Sequence, residues 1–453
     1  MSDAVALRED LVSALRLARR EARADDLVSA TIALWQCDAT AAFRAVRAAG
    51  HNAALWLRPA DGMARLAAGD AATLTASGAD RIVALRRGWS DLRAGAAGAT
   101  GLRAFVGFSF DERIVPAPGP VWTDFPRALL VVPRLLVEWK DGRAVARAAA
   151  RADDASADED LARIGATLAA ASSSADPEPS RAERTGELPA RDVWRAQVAR
   201  ARDEIRRGEL EKIVLARAVR LRVRADAAEA TLAILARRSP GCTVYAVARG
   251  HSLLLGATPE SLVSLDSGTA RVSCVAGTAP RVDEDHDAAA ALALVRSEKD
   301  QREHELVARA ARAALESCCD AVRASGPPRL MALATLWHLA SEVRGTARPG
   351  IELLDLAAAL HPTPAVCGAP RAAAMRALAE REPFDRGWYG GALGWIDERG
   401  DGELVVALRG ALARAHEAWL FAGCGIVAGS DPDAELAESD AKLVPMLDAL
   451  GAR

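Results

Sequence analysis

Short apolar runs bounded by turn residues fill most of this chain, and helical periodicity is confined to a few stretches. In residues 1–150 a helical start over 7–24 precedes β-like runs at 32–35, 54–57 and 104–108, so turn-bounded strands dominate. Trp194, Val198, Ala201 and Ile205 take up helical spacing and stop at Gly208, a natural C-terminal residue for a helix. Runs at 212–219, 243–248, 252–255, 262–265 and 271–275 read as strands whose short connections predict antiparallel pairing. One long helix is expected over 288–324 and another after Ala369, while strands at 403–409 and 418–427 are expected to form a hairpin. The layout is α+β, without βαβ alternation or a G-x-G-x-x-G fingerprint. The acidic, Ser/Pro-rich stretch 153–189, including Ser172, Ser173, Ser174, Pro177 and Pro179, reads as a linker. It divides an expected β-rich N-terminal lobe, 1–189, from a C-terminal domain, 190–453.

Composition narrows the function classes. A formal charge of -3 over 453 residues and only 4% Phe, Trp and Tyr argue against a nucleic-acid partner. No run of 18 apolar residues occurs and Met1-Ser2-Asp3-Ala4 does not begin a secretory signal, so the expectation is a cytoplasmic protein with no membrane partner. The cysteines at 37, 242, 274, 318, 319, 367 and 424 are odd in number and contain no C-x-x-C pair, which fits reduced core residues.

The charges that could carry chemistry sit at element ends. Asp431 is placed to N-cap a helix with Pro432 at its first position, and Glu435, Glu438 and Lys442 then share one stripe. In SEKDQREHELV, 297–307, a helix would put Asp300, Glu303 and His304 on one face, next to an apolar side that must pack. Ordinary solvated faces would give the same letters. If Glu303 and Glu438 met across a cleft, their oxygens would suit a hard octahedral ion such as magnesium. Lys212 opens an otherwise apolar strand, where partial burial would push its pKa down, although a surface lysine is the commoner reading. Glu260 follows Pro259 in a turn between two apolar strands and is either a general acid or a turn cap. Glycine loops at 277–281, 387–391 and 423–425 allow backbone N–H groups to approach an anion. Arg409, ending its expected strand beside Ala407, could receive a carboxylate bidentately.

Taken in order, KIVLAR (212–217), GATPESL (256–262), GTAPR (277–281), SEKDQREHELV (297–307), HPTPAVCGAP (361–370), WYGG (388–391) and 422–442 resemble the chorismate-utilising enzymes. That family comprises isochorismate synthases, salicylate synthases and the large subunits of anthranilate and aminodeoxychorismate synthases. The blocks span essentially the C-terminal 240 residues; 106–111 and 122–126 resemble the N-terminal part of isochorismate synthases more weakly. The resemblance implies a large two-lobed fold of antiparallel sheets forming a β-sandwich with helices outside. It implies Glu303 and Glu438 as ligands of Mg2+, Lys212 as the base that activates water, and Glu260 as the acid that protonates the departing C4 hydroxyl. It further implies that Gly277, Thr278, His338, Ala365, Tyr389, Arg409, Gly425 and Lys442 bind the substrate.

Within the family, Lys212 favours water over ammonia as nucleophile. The segment 364–368 resembles isochorismate synthases, whereas salicylate and anthranilate synthases usually carry a hydroxyl residue around Ala365. The implied activity is Mg-dependent conversion of chorismate to isochorismate, by water addition at C2 and loss of the C4 hydroxyl, with no obligatory glutaminase subunit. The long N-terminal half leans toward menaquinone biosynthesis. The alternatives are siderophore supply, a salicylate synthase, an amino-transferring relative and a catalytically dead regulatory homologue.

Overall fold

The computed structural model describes residues 2–20, 22–23, 26–34, 38–96, 101–112, 121–171, 181–281 and 284–452. Its strands form one antiparallel network bent back on itself. From Lys212–Arg222 the pairings run through Glu417–Ile426, Gly410–Arg414, Ser252–Thr258, Thr243–Arg249, Ala53–Arg58 and Met63–Ala76 to Ala128–Lys140. A second arm leaves Ala128–Lys140 through Arg103–Phe108, Ala392–Asp397, Gly402–Val406, Ser261–Asp266 and Thr269–Pro280 to Leu336–Ala347. Strands from the first 150 residues therefore occupy the middle of the path, and strands from the C-terminal half form both ends.

Side-chain alternation makes this a sandwich. Tyr245, Val247, Leu254, Leu412, Trp419 and Phe421 from one arm and Leu393 and Val405 from the other meet in an inner core that, among the described residues, contains none from a helix. Their sequence neighbours face outward. Val244, Ala246 and Ala248 pack with Leu11, Phe43, Leu161 and Leu232 of the helices on one side. On the other, Val272, Cys274, Leu404 and Val406 pack with Leu85, Trp89, Val307 and Leu354. A fully buried Leu, Val or Phe contributes about 1.5–3 kcal/mol. The expected β-sandwich with outer helices is the fold observed.

Three expectations about elements need correction. The helix expected over 288–324 is two helices, Glu284–Arg296 and Glu298–Cys318, followed by the strand Cys319–Ala324. Ser297 breaks it: its backbone turns extended and its side chain accepts from the Asp300 N–H, starting a new helix. The expected 403–409/418–427 hairpin is also different. Gly402–Val406 ends early and pairs with Ala392–Asp397 and Ser261–Asp266, and the hairpin partner of Glu417–Ile426 is Gly410–Arg414. Arg409, with φ of 51°, lies in the left-handed turn between Gly402–Val406 and Gly410–Arg414 and does not end a strand. Within the expected linker, Ala157–Ala171 is a helix and Glu183–Leu188 a strand. Asp158, Glu159 and Asp160 fall in that helix's first turn, where its dipole favours them, and Leu161, Ile164 and Leu168 are buried. The Ser/Pro core of the linker, 172–179, lies outside the described residues, as do Trp35 and Cys37.

Candidate active site

The ends of the two arms enclose a cleft that is open at its mouth. One wall carries Val214, Gly423 and Gly425; the other carries Val275, Ala276, Gly277, Thr278 and His338. Glu260, Glu303, Ala365, Tyr389, Arg409 and Lys442 complete the lining among the site residues expected from sequence. Lys212 and Glu438 stand just behind it.

Lys212 opens the strand Lys212–Arg222 and is fully buried. Its Nζ lies 2.9 Å from Glu303 Oε1 in ion-pair contact and, among the described residues, meets no acceptor in hydrogen-bond geometry. Gly425 makes that meeting possible. A Cβ there would sit 2.2 Å from Glu303 Oε1 and 2.7 Å from Lys212 Cε, so any side chain would push the pair apart. Gly368, paired with Ile213, has φ of 146° and a Cβ there would reach the Lys212 carbonyl at 2.3 Å. Both glycines let backbone close on the lysine.

Glu260 occupies the turn between Ser252–Thr258 and Ser261–Asp266. Its backbone is tied at both ends: its N–H donates to Thr258 Oγ1 at 3.3 Å and its carbonyl accepts from the Val406 N–H at 3.0 Å. Burial pushes its carboxyl up to about 7, against the opposing pull of Lys212, Arg409 and Lys442. A carboxyl with that value exchanges protons near neutrality.

His338 lies opposite Thr278 in the strand pair and is held on both ring nitrogens. Nδ1 is 3.0 Å from the Gly277 carbonyl and 3.1 Å from Thr278 Oγ1, while Nε2 is 3.1 Å from Arg409 Nη2. Arg409 has no lone pair to offer, so Nε2 accepts and Nδ1 carries the proton toward Gly277. Burial first, then Arg409 and Lys442, push the imidazole down to about 3, which keeps it neutral. Gly277, at φ of 75°, forms a bulge whose missing side chain leaves room for Asp300.

The helix Pro432–Leu450 begins as expected, with Asp431 accepting from the Asp433 and Ala434 N–H groups. Lys442 Nζ lies 2.6 Å from Glu438 Oε1 and donates to the Gly423 carbonyl at 2.9 Å. Burial opposes both charges, yet their attraction wins: Glu438 is held below the ordinary carboxylate range and Lys442 above the ordinary lysine value. Glu435 turns to different partners, Lys299 at 2.6 Å and Ser430 Oγ at 2.7 Å, both on Oε1. Its Oε2 is buried without a hydrogen-bond partner among the described residues. Burial and the nearby Glu438 raise the Glu435 carboxyl.

Sequence reasoning missed Lys299 as the partner of Glu435, and Arg386. The Arg386 guanidinium donates to the Val366 carbonyl at 2.8 Å, the Val214 carbonyl at 2.7 Å and Glu382, joining the 361–368 loop to the lysine-bearing strand. The spacing of Glu382 and Arg386, four residues apart, was the available signal. Tyr389 stacks on Phe421 with centroids 5.1 Å apart, and burial pushes its phenol up to about 12.

The family model described as "Chorismate binding enzyme" matches residues 12–451. The chain belongs to the chorismate-binding enzymes. This chorismate-binding enzyme is 39% identical over 263 residues to the salicylate biosynthesis isochorismate synthase of Pseudomonas aeruginosa, covering 58% of this chain and 55% of that protein. It is 36% identical over 263 residues to isochorismate synthase MenF of Bacillus subtilis, covering 58% and 56%. The chain thus spans about half the length of these curated relatives. Its fold matches that of MenF, the menaquinone-specific isochorismate synthase of Escherichia coli, with a TM-score of 0.79 over 99% of this chain and 100% of that one, at 24% identity. Among the described residues, no helix is long and apolar enough to cross a membrane.

Oxygen donors suited to a divalent cation lie around Glu438, although the carboxylate grouped with it among the described residues is Glu435, while Glu303 Oε1 faces Lys212. Glu435 and Glu438 bring carboxylate oxygens within 4.8 Å of each other and of Cys424 Sγ. Asp300, raised by burial and by Glu303 and Glu438, belongs to the same electrostatic neighbourhood. The Cys424 thiol is pushed well up and donates to the Glu435 carbonyl, so it offers no thiolate. The donors left are oxygens, the set that magnesium takes.

Proposed function

We propose that this protein is an isochorismate synthase that adds water at C2 of chorismate as the C4 hydroxyl leaves. The reading is supported above all by one observation: a buried lysine against a carboxylate, Lys212 with Glu303, and a buried carboxyl near neutrality, Glu260, serve the same cleft. Such a reaction needs a base on one side of the ring and an acid on the other.

In this reading Lys212 takes a proton from the attacking water, and Glu260 gives its proton to the departing hydroxyl, which leaves as water. Arg409, oriented by His338, and Lys442, beside the Gly423 carbonyl, bind the substrate's carboxylates, with Gly425, Gly277, Thr278 and Tyr389 shaping the pocket. Magnesium, held by Glu303 and Glu438, would neutralise the ring carboxylate when bound. Ala365 leaves the cleft without a hydroxyl at that position, which supports isochorismate as the released product in preference to salicylate. No glutaminase subunit is needed when water is the nucleophile.

We favour menaquinone supply over siderophore supply, on the long N-terminal half, whose strands are integral to the sandwich. A reducing cytoplasmic location accords with six cysteines that are buried and free among the described residues.

The test is incubation of purified protein with chorismate and magnesium. Isochorismate as product supports the reading, and a requirement for ammonia or a glutaminase overturns it. Conversion to salicylate by the protein alone replaces it with salicylate synthesis.

A further inference from the structure

We infer that Tyr245 is a positioning residue for Arg409, acting through the backbone of the left-handed turn that carries the guanidinium. Tyr245 lies in Thr243–Arg249, is 1% exposed, and lines no part of the cleft. Its hydroxyl donates to the Leu408 carbonyl at 3.0 Å, one residue before Arg409.

Two glycines make room for the phenol. Gly256 is the cross-strand partner of both Tyr245 and Gly410. A Cβ on either glycine would stand 2.5 Å from the Tyr245 hydroxyl, and one on Gly410 would also meet the Leu255 carbonyl at 2.6 Å. The phenol therefore crosses the sheet where two neighbouring strands carry no side chain, and reaches the turn beyond.

That turn needs a support. Arg409 takes φ of 51°, a conformation that costs a non-glycine residue free energy unless surrounding contacts hold it. On the other side of Arg409, its Nη2 meets His338 Nε2 at 3.1 Å. The chain Tyr245 hydroxyl, Leu408 carbonyl, Arg409 turn and His338 imidazole fixes the direction in which the guanidinium enters the cleft. Guanidinium recognition of a carboxylate is bidentate and planar, so it depends on direction as much as on charge.

The role in substrate binding rests on the chorismate reading; the positioning of Arg409 does not. The test is Tyr245→Phe, which removes the hydroxyl alone. Two quantities are measured: steady-state kinetics with chorismate and magnesium, and the nitrogen-15 resonance of His338 Nε2 in histidine-labelled protein without substrate. The expected result is a rise in KM of about tenfold, the size expected for a misdirected charged hydrogen bond, with kcat changed less than about twofold. The Nε2 resonance moves toward that of an imidazole nitrogen without a donor. Gly410→Ala, which crowds the phenol while keeping its hydroxyl, shifts both in the same direction. Unchanged KM and an unchanged Nε2 resonance, with only a lower melting temperature, overturn the inference, because a merely structural tyrosine gives that pattern. A moved resonance in a protein that does not turn over chorismate leaves the positioning intact and removes the substrate assignment.

Discussion

The charges around Glu138 and those around the cleft are built on opposite principles. Around Glu138, a single carboxylate is surrounded by Arg65, Arg103 and Arg147, and two of those guanidiniums lie over Trp395, at 3.9 and 5.1 Å from the ring centroid. Burial would raise Glu138, but the arginines overcome it and hold the carboxyl low, so it is ionised throughout the neutral range. In the cleft the proportions reverse. Asp300, Glu303, Glu435 and Glu438 crowd together with lysines as partners, and Glu260, Asp300 and Glu435 are all raised. A cluster whose carboxylate is satisfied is fixed in one protonation state and supports the fold. One with surplus carboxylate and lifted carboxyls can accept a cation and move protons.

Mutations sharpen that contrast. Lys212→Ala is expected to lower kcat about 10³-fold while KM for chorismate changes only a few-fold, since the base acts in the transition state. Unchanged turnover would remove Lys212 from its role. Glu260→Gln comes next, with kcat down about 10²-fold. Because the acid form is the active one, wild-type kcat should fall as pH rises through about 7, and the variant should lose that limb. The stability sign follows the same shift. Burial lifts Glu260 above its ordinary 4.5, so its contribution to folding is full below that value and is lost as pH rises through about 7. At pH 8 the glutamine variant should be the more stable, by roughly 3 kcal/mol, in urea titrations. Glu303→Gln should raise the magnesium concentration for half-maximal activity by about 10–100-fold, read from activity against added metal. Wild-type metal dependence would refute the ligand assignment. The smallest catalytic effect is expected at the other cluster: Glu138→Gln leaves kcat and KM unchanged but costs about 2 kcal/mol of stability by leaving three half-buried arginines without their carboxylate. A loss of activity there at full folding would erase the distinction.

Much of this was legible in the letters. Strand alternation, the Asp431-Pro432 helix start and the 435/438/442 stripe depend on local chemistry, and each is found where local chemistry puts it. Failures came where a local signal competes with a distant one. Alanine-rich text across 288–324 hides the break at Ser297, and the pairing of Cys319–Ala324 with Leu336–Ala347 overrides helical propensity. Arg409 reads as a strand terminus because nothing local reveals that Tyr245, 164 positions earlier, anchors the turn. The pairing of Lys299 with Glu435 was likewise invisible, since helix periodicity gives a face but not the residue opposite it.

The strand order has a consequence for how activity is gained and lost. The cleft's two walls lie far apart along one path of pairings, so their meeting depends on the pairings between them being in place. Non-local pairings pay their loop-closure entropy before their contacts reward it. Function should therefore be the last property to return on refolding and the first to vanish in mild denaturant, even when the weakened pairing is Ala53–Arg58 against Thr243–Arg249 in the middle of the path. Turnover becomes a gauge of the integrity of the whole sheet.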